Sequence, residues 1–341
     1  MLTVVILIIG FIVAFSIGSN DETMSPAVGA NVFTVKVAVT LGMIINLIGA
    51  VSLGGGVSEK VGSDLVAGAE SPLTTDMVLA ILISMAIWLL VASAAKGLPI
   101  STTQCIVGSV IGVAVSSPFL GVDGFGVSAI SWSVLAEIFV GWIISPLVGF
   151  FFAGGIYAVV RRVQARATGL SGRERQEEVA SYLLAGFLIL TGLSRGGNDV
   201  ANAVAPLTAL PDFQGTFVLG PFVLPSFYVP LVVGGLGMGL GLIVVGRKVI
   251  QTLATEVVTL SPMSALSASV SVSLIMFSGT YMGLPLSGTH VLVASLIAVG
   301  WISQEPVKMK QVKEILISWV VTVPISAMLS VLVYAVILGL F

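Results

Sequence analysis

The feature that most constrains this chain is that it is written twice. Asn20-Asp21 in "GSNDETMSPAVGA" returns as Asn198-Asp199 in "GGNDVANAVAPL". "GLPISTTQCIVGSVIGVAV" from Gly97 returns as "GLPLSGTHVLVASLIAVGW" from Gly283, and "AEIFVGW" with Glu137 and Trp142 returns as "KEILISW" with Glu314 and Trp319. Three islands in the same order, at nearly constant separation, indicate a duplicated unit. The repeats span 1–160 and 179–341, joined by the charged stretch "RRVQARATGLSGRERQEE" over 161–178.

Each unit carries about five apolar stretches of bilayer-spanning length. They lie near 2–17, 34–53, 76–95, 98–116 and 130–160, then near 179–194, 226–245, 262–282, 284–302 and 315–340. Charged residues are 9% of the chain, against roughly a quarter in soluble domains, so the chain belongs in a bilayer. There only helices or closed barrels satisfy the backbone, and the stretches lack strand-like alternation. The predicted fold is an all-α polytopic membrane protein. The opening stretch lacks a basic flank and a cleavage site, so it reads as a first span rather than a signal peptide.

An odd number of crossings inverts the second unit relative to the first. Basic residues test this independently, because cytoplasmic loops are enriched in Lys and Arg. With the join inside, all 14 basic residues except Lys60 and Arg195 fall inside. Loop 303–314 carries Lys308, Lys310 and Lys313, whereas its counterpart 117–130 carries Asp123 and no lysine. Both termini then lie outside. The expected architecture is two inverted-topology repeats with broken or re-entrant helices, meeting near the midplane where such proteins bind their cargo. The short, unextended start fits a prokaryotic plasma membrane.

Polar residues in such a chain mark function or helix ends. Asn20, Asp21, Glu22, Asn198 and Asp199 offer hard oxygen ligands suited to Na⁺. As helix caps they would be unremarkable singly, but they recur at matching places. In "PISTTQ" and "PLSGTH" a proline leaves a helix start with free N–H donors. Ser101, Thr102, Thr103, Ser287 and Thr289 add hydroxyls, and Gly288 permits close backbone approach, which suits an oxyanion. Helix-on-helix packing by small residues is the plainer alternative. His290 is the only histidine, read more as a hydrogen-bonding group than as a proton switch; its counterpart, Gln104, cannot titrate. Arg195 is read as snorkelling to the interface rather than drawing anions to the outer mouth. Glu137, Glu314 and Glu256 read as interfacial or solvated. Together the motifs point to cation-coupled movement of a small oxyanion.

Other classes fit less well. A net charge of −2 excludes a nucleic-acid footprint. Cys105 stands alone, so there is no disulfide framework. No nucleophile–base pair, resident cofactor or P-loop is legible, which argues against an enzyme or ATP motor. An anion channel would need a continuous polar path, whereas paired broken helices fit alternating access.

The paired motifs resemble those of the inorganic phosphate transporter (PiT) family, whose hallmarks are G-[AS]-N-D-V-A-N-[AS] and a G-L-P-[VI]-S-[TG]-T-H-type segment in each half. "GGNDVANAVAPL", "GLPISTTQ", "GLPLSGTH" and the stretch 245–265 carry the resemblance, which runs along nearly the whole chain. It implies a phosphate symporter driven by Na⁺ or H⁺, often dimeric, though relatives also move sulfate. By carry-over Asn20, Asp21, Asn198, Asp199 and Asn202 would bind the cation, with Na⁺ held at the first four. Ser101, Thr102, Thr103, Ser287 and Thr289 would hold phosphate. The first motif departs from the pattern: Glu22 and Thr23 replace Val-Ala, and Met24 replaces the second Asn. Glu22, Thr23, Gln104 and His290 are therefore accessory candidates. Na⁺ is favoured over H⁺ because Asn cannot titrate.

Overall fold

The computed structural model describes all residues except Met1, Ser63, Ser71, Gly97, Leu98, Arg166–Thr168, Ala209, Leu340 and Phe341. Gly97, Leu98 and Arg166 of the readings above therefore lie outside the described residues, as do the side chains of Lys96 and Glu256.

The chain folds into α1 (Leu2–Gly18), α2 (Ser25–Gly29), α3 (Val35–Gly62), α4 (Thr75–Lys96), α5 (Thr102–Ser116) and α6 (Trp132–Gln164). Then follow α7 (Gly169–Thr208), strands β1 (Thr216–Leu219) and β2 (Phe222–Pro225), α8 (Tyr228–Gly241), α9 (Arg247–Glu256), α10 (Pro262–Tyr281), α11 (Gly288–Ser303) and α12 (Met309–Ile337). Among the described residues, eight helices are long and apolar enough to cross a membrane, and Thr3–Gly18 and Gly288–Ser303 are shorter apolar helices. Each of the expected apolar stretches corresponds to a helix, so the all-α polytopic reading holds.

Four local features differ from the sequence reading. First, the second Asn-Asp motif does not interrupt its helix: α7 continues through it to Thr208. At 40 residues it runs roughly 60 Å, at about 1.5 Å per residue. The first motif does break its helix. Pro26 there sits in the first turn of α2, and in an uninterrupted helix its ring would collide with the carbonyl of Glu22. Asp21 then stabilises the turn by accepting from the Thr23 backbone N–H at 2.9 Å and from the Thr23 hydroxyl. Second, the charged join is mostly helical, because α6 runs to Gln164 and α7 starts at Gly169; Arg, Glu and Gln are good helix formers. Third, an antiparallel hairpin, Thr216 opposite Pro225, interrupts the otherwise helical chain. Gly220, at φ 59°, makes its turn. Fourth, the stretch 226–245 ends in a π-helical turn, Leu242–Gly246. It leads into α9, which buries Val249, Ile250, Leu253 and Ala254 and leaves Arg247, Lys248, Gln251 and Thr255 exposed.

The packing has a paired pattern. α1 packs on α8 and α7 on α3; α5 on α12 and α11 on α6; α4 on α12 and α10 on α6; α4 on α5 and α10 on α11; α1 on α4 and α7 on α10. Exchanging α1 with α7, α3 with α8, α4 with α10, α5 with α11 and α6 with α12 carries every pair onto its mate. Small residues permit the closest crossings. A Cβ on Gly49 would fall 2.1 Å from the Leu193 carbonyl oxygen, and one on Gly196 would fall 2.3 Å from that of Asn46. Outward-facing Ile143, Ile144, Phe151 and Val320 are exposed, as helices facing lipid require.

Candidate functional site

The half-helices α5 and α11 supply one side of the site. Each begins after a Pro-containing extended segment and is capped by a serine. Ser101 Oγ accepts from the Gln104 N–H at 3.3 Å, and Ser287 Oγ accepts from the His290 N–H at 3.4 Å. Two asparagines pin the extended segments. Asn20 donates its amide to the Ile100 carbonyl and Asn198 to the Leu284 carbonyl, both at 3.0 Å. The paired asparagines thus also build the site, by fixing the entry into each half-helix.

The carboxylates come from the helix break after α1 and from α7. Asp21, Glu22 and Asp199 are all buried, and Arg195 lies buried among them. Its guanidinium reaches Glu22 Oε1 at 2.9 Å, Asp199 Oδ2 at 2.9 Å and Asp21 Oδ1 at 3.8 Å. This overturns the snorkelling reading of Arg195. One helical turn separates it from Asp199, so α7 aims both at the same point, and three nearby carboxylates hold the charge inside. Among the described residues it is the only buried Lys or Arg.

The expected oxyanion donors meet these carboxylates. Thr102 donates to Asp199 Oδ1 at 3.1 Å, and Thr289 donates to Glu22 Oε1 at 2.8 Å. Thr103 donates to the Leu286 carbonyl at 3.0 Å and accepts from the Asn202 amide at 3.1 Å. Asn202 also donates to Asn198 Oδ1 at 3.2 Å, one turn back on α7. Gly288 is where a side chain could not fit, since a Cβ would fall 2.0 Å from Arg195 Nη1. The close approach expected there is made by Arg195. Thr23 and Asp21 share a turn, as described above. Gln104 is buried, with Oε1 lacking a donor.

His290 faces away from this polar contact set. Its ring lies 3.8 Å, centroid to centroid, from that of Trp319, and Nδ1 sits 3.5 Å from the Trp142 carbonyl. Trp142 and Trp319 are repeat counterparts, so both copies contribute to its surroundings, one by a carbonyl and the other by a ring. Glu137 is exposed and pairs with Lys60, in keeping with an interfacial role.

Sequence reasoning misplaced one site residue and passed over another. Arg195 carried a signal, an arginine inside an apolar run three residues before Asn198. Asn46, buried on α3, donates to Asp21 Oδ2 at 2.8 Å. A lone Asn in "MIINLIG" was the available clue.

Several buried oxygens lack donors: Glu22 Oε2, Asp199 Oδ2, Asn46 Oδ1 and Asn202 Oδ1. Asp199 Oδ2 is near Arg195 Nε but outside hydrogen-bond geometry with it. Buried acceptors without donors are costly, and here they concentrate around an excess of negative charge. Three carboxylates face one guanidinium. Among the described residues, no three His, Cys, Asp or Glu side chains converge as a metal cluster, so a cation here would draw on mixed amide, carboxylate and carbonyl oxygens. A cavity of about 10 Å³ touches Thr23, Thr191 and Arg195, room for about one water. A larger cavity of about 710 Å³ lies beside Ser58, Glu59, Thr208 and the hairpin.

Paired capped half-helices aimed at buried charges, in a multi-pass helical chain, define a membrane transport protein rather than an enzyme. The chain matches the phosphate transporter family over residues 17–330. It belongs to that family, as its motifs led one to expect. A protein of Pyrococcus abyssi named "Putative phosphate permease" is 27% identical, with 96% of each chain covered. "Inorganic phosphate transporter 2-1, chloroplastic" of Arabidopsis thaliana is also 27% identical, over 97% of this chain and 71% of its own length. A solved structure titled "The sodium-dependent phosphate transporter" superposes with a TM-score of 0.84 at 26% identity, covering 98% of both chains.

Proposed function

We propose that this protein is a Na⁺-coupled symporter of inorganic phosphate, working by alternating access between two inverted repeats, 1–160 and 179–341. The observation that carries the reading is the charge imbalance at the site. Among the described residues, Asp21, Glu22 and Asp199 have Arg195 as their one cationic partner, opposite two capped half-helix starts rich in hydroxyls. A buried excess of negative charge is unstable without cations, so the site has to load cations before it can take an anion.

In this reading Asn20, Asp21, Asn198, Asp199 and Asn202 shape the Na⁺ site, and Na⁺ is cargo rather than a resident cofactor. Ser101, Thr102, Thr103, Ser287, Gly288 and Thr289 line the phosphate site, where helix N-termini favour anions. The sodium dependence named for the solved neighbour and the phosphate named for the relatives support it. The exchange of helix pairs between the two halves supports the two-fold repeat, and the distribution of basic residues supports its inversion. In this reading, which the distribution of basic residues supports, the join lies inside a plasma membrane, and both termini and the large cavity lie on its outer side.

The test is radiolabelled phosphate uptake into liposomes carrying the purified protein, under an inward Na⁺ gradient or an inward H⁺ gradient, with excess sulfate as competitor. Uptake that needs Na⁺ and ignores sulfate is expected. Uptake that follows H⁺ alone would replace the coupling ion, and transport of sulfate instead would replace the substrate. Asp21→Asn and Asp199→Asn are each expected to abolish coupled uptake while the protein still inserts. Wild-type uptake in both variants would remove the carboxylates from the mechanism.

A further inference from the structure

We infer that Arg195 is an internal substitute for the transported cation, which holds the phosphate donors shut until Na⁺ displaces it from the carboxylates. The inference rests on the symport reading and adds how the two cargoes are coupled.

Three observations carry it. Arg195 occupies the cation's electrostatic place, touching Glu22 and Asp199 at 2.9 Å with Asp21 at 3.8 Å. It also occupies the anion's place, because its Nη1 and Cδ fill the space beside Gly288 at the first turn of α11. An anion seated on that half-helix start would need this space. The hydroxyls of Thr102 and Thr289, the natural anion donors, are turned onto Asp199 and Glu22. The carboxylates are therefore partly neutralised from within. Guanidinium and hydroxyl donors are bound to carboxylates rather than free for phosphate.

The neutralisation is incomplete, since Glu22 Oε2 is buried without a donor and Asp199 Oδ2 meets Arg195 Nε at 2.9 Å only outside hydrogen-bond geometry. Those oxygens are the foothold for Na⁺. Cations that take over Glu22 and Asp199 release Arg195, Thr102 and Thr289 together, and a guanidinium is well suited to bind a phosphate through paired N–H donors. Na⁺ then raises phosphate affinity, and by linkage phosphate raises Na⁺ affinity by the same factor.

Equilibrium binding of radiolabelled phosphate to the purified protein, in Na⁺ and in choline, tests this. Wild type is expected to bind phosphate at least about tenfold tighter in Na⁺, within the usual range of coupling between sites. Glu22→Gln loosens the clamp while keeping its shape. It is expected to bind phosphate tighter than wild type in choline and to show a Na⁺ enhancement below about threefold. Arg195→Gln is expected to keep Na⁺ binding, measured with radiolabelled Na⁺ alone, and to lose phosphate affinity at least about tenfold, with Arg195→Lys recovering part of it. A wild-type Na⁺ enhancement in Glu22→Gln, or wild-type phosphate affinity in Arg195→Gln, overturns the inference. Should Arg195→Gln fail to fold, Glu22→Gln decides alone. Wild-type protein that binds no phosphate in either medium overturns the symport reading itself, and the switch with it.

Discussion

At the scale of single residues, the site is an exercise in sharing too few positive charges among buried acids. Arg195 serves three carboxylates, and neutral groups supply the remaining donors: Thr23 and Asn46 to Asp21, Thr102 to Asp199 and Thr289 to Glu22. Gly288 matters for what it lacks. A methyl there would fall 2.0 Å from Arg195 Nη1 and 2.5 Å from its Cδ. Gly288→Ala is therefore expected to push the guanidinium off its seat and reduce phosphate uptake by an order of magnitude or more, since small displacements of a positioned group can cost roughly a hundredfold. Uptake kinetics in liposomes check it, and an unchanged maximal rate would show that Arg195 has room to move aside. The sequence made most of this site legible. The repeated Asn-Asp and Ser/Thr tracts pointed to Asn20, Asp21, Asn198, Asp199 and the hydroxyls before any coordinates. It did not give Arg195 its place, because an arginine near an apolar run reads equally well as a snorkelling side chain. Only the convergence of residues far apart in the chain, Glu22 and Asp199, tells the two apart.

At the scale of elements, the half-helices and the α3–α7 crossing decide the geometry. Ser101 and Ser287 cap α5 and α11, and removing such a cap costs about 1 kcal/mol. At the α3–α7 crossing the backbones approach closely, with Gly49 against Leu193 and Gly196 against Asn46. Gly196→Ala overpacks that contact. It is expected to destabilise the protein by about 1–3 kcal/mol and to displace Asn46, which donates to Asp21. Thermal unfolding in detergent reads the first effect and Na⁺ affinity the second. An unaltered midpoint with normal Na⁺ binding would mean the crossing has slack. Hydropathy located the helices well because lipid leaves the backbone few choices. It located the breaks poorly. Both Asn-Asp motifs look alike in sequence, yet only the first interrupts its helix, and a proline follows each, Pro26 in the first turn of α2 and Pro206 inside α7. The hairpin at 216–225 was missed because "TFVLGPFVLP" is short and apolar, and short apolar runs do not distinguish strand from helix.

At the scale of the whole molecule, the claim is that two copies of one unit face opposite ways. The exchange of helix pairs follows from that arrangement, and so does the lysine imbalance between loops 117–130 and 303–314. With Cys105 replaced by alanine, a cysteine at Asp123 is expected to react with an impermeant maleimide from outside intact cells. A cysteine at Glu305 is expected to react only after the membrane is opened. Labelling of both from one side would mean parallel repeats. In the proposed cycle the buried acids load Na⁺ so that phosphate can follow. The measurement that tests it most directly is the simultaneous flux of radiolabelled Na⁺ and phosphate into the same liposomes. Co-movement is predicted, with more than one Na⁺ entering per phosphate and no phosphate entry when Na⁺ is replaced by choline. Phosphate entry at the same rate without Na⁺, or Na⁺ flux indifferent to phosphate, would contradict it.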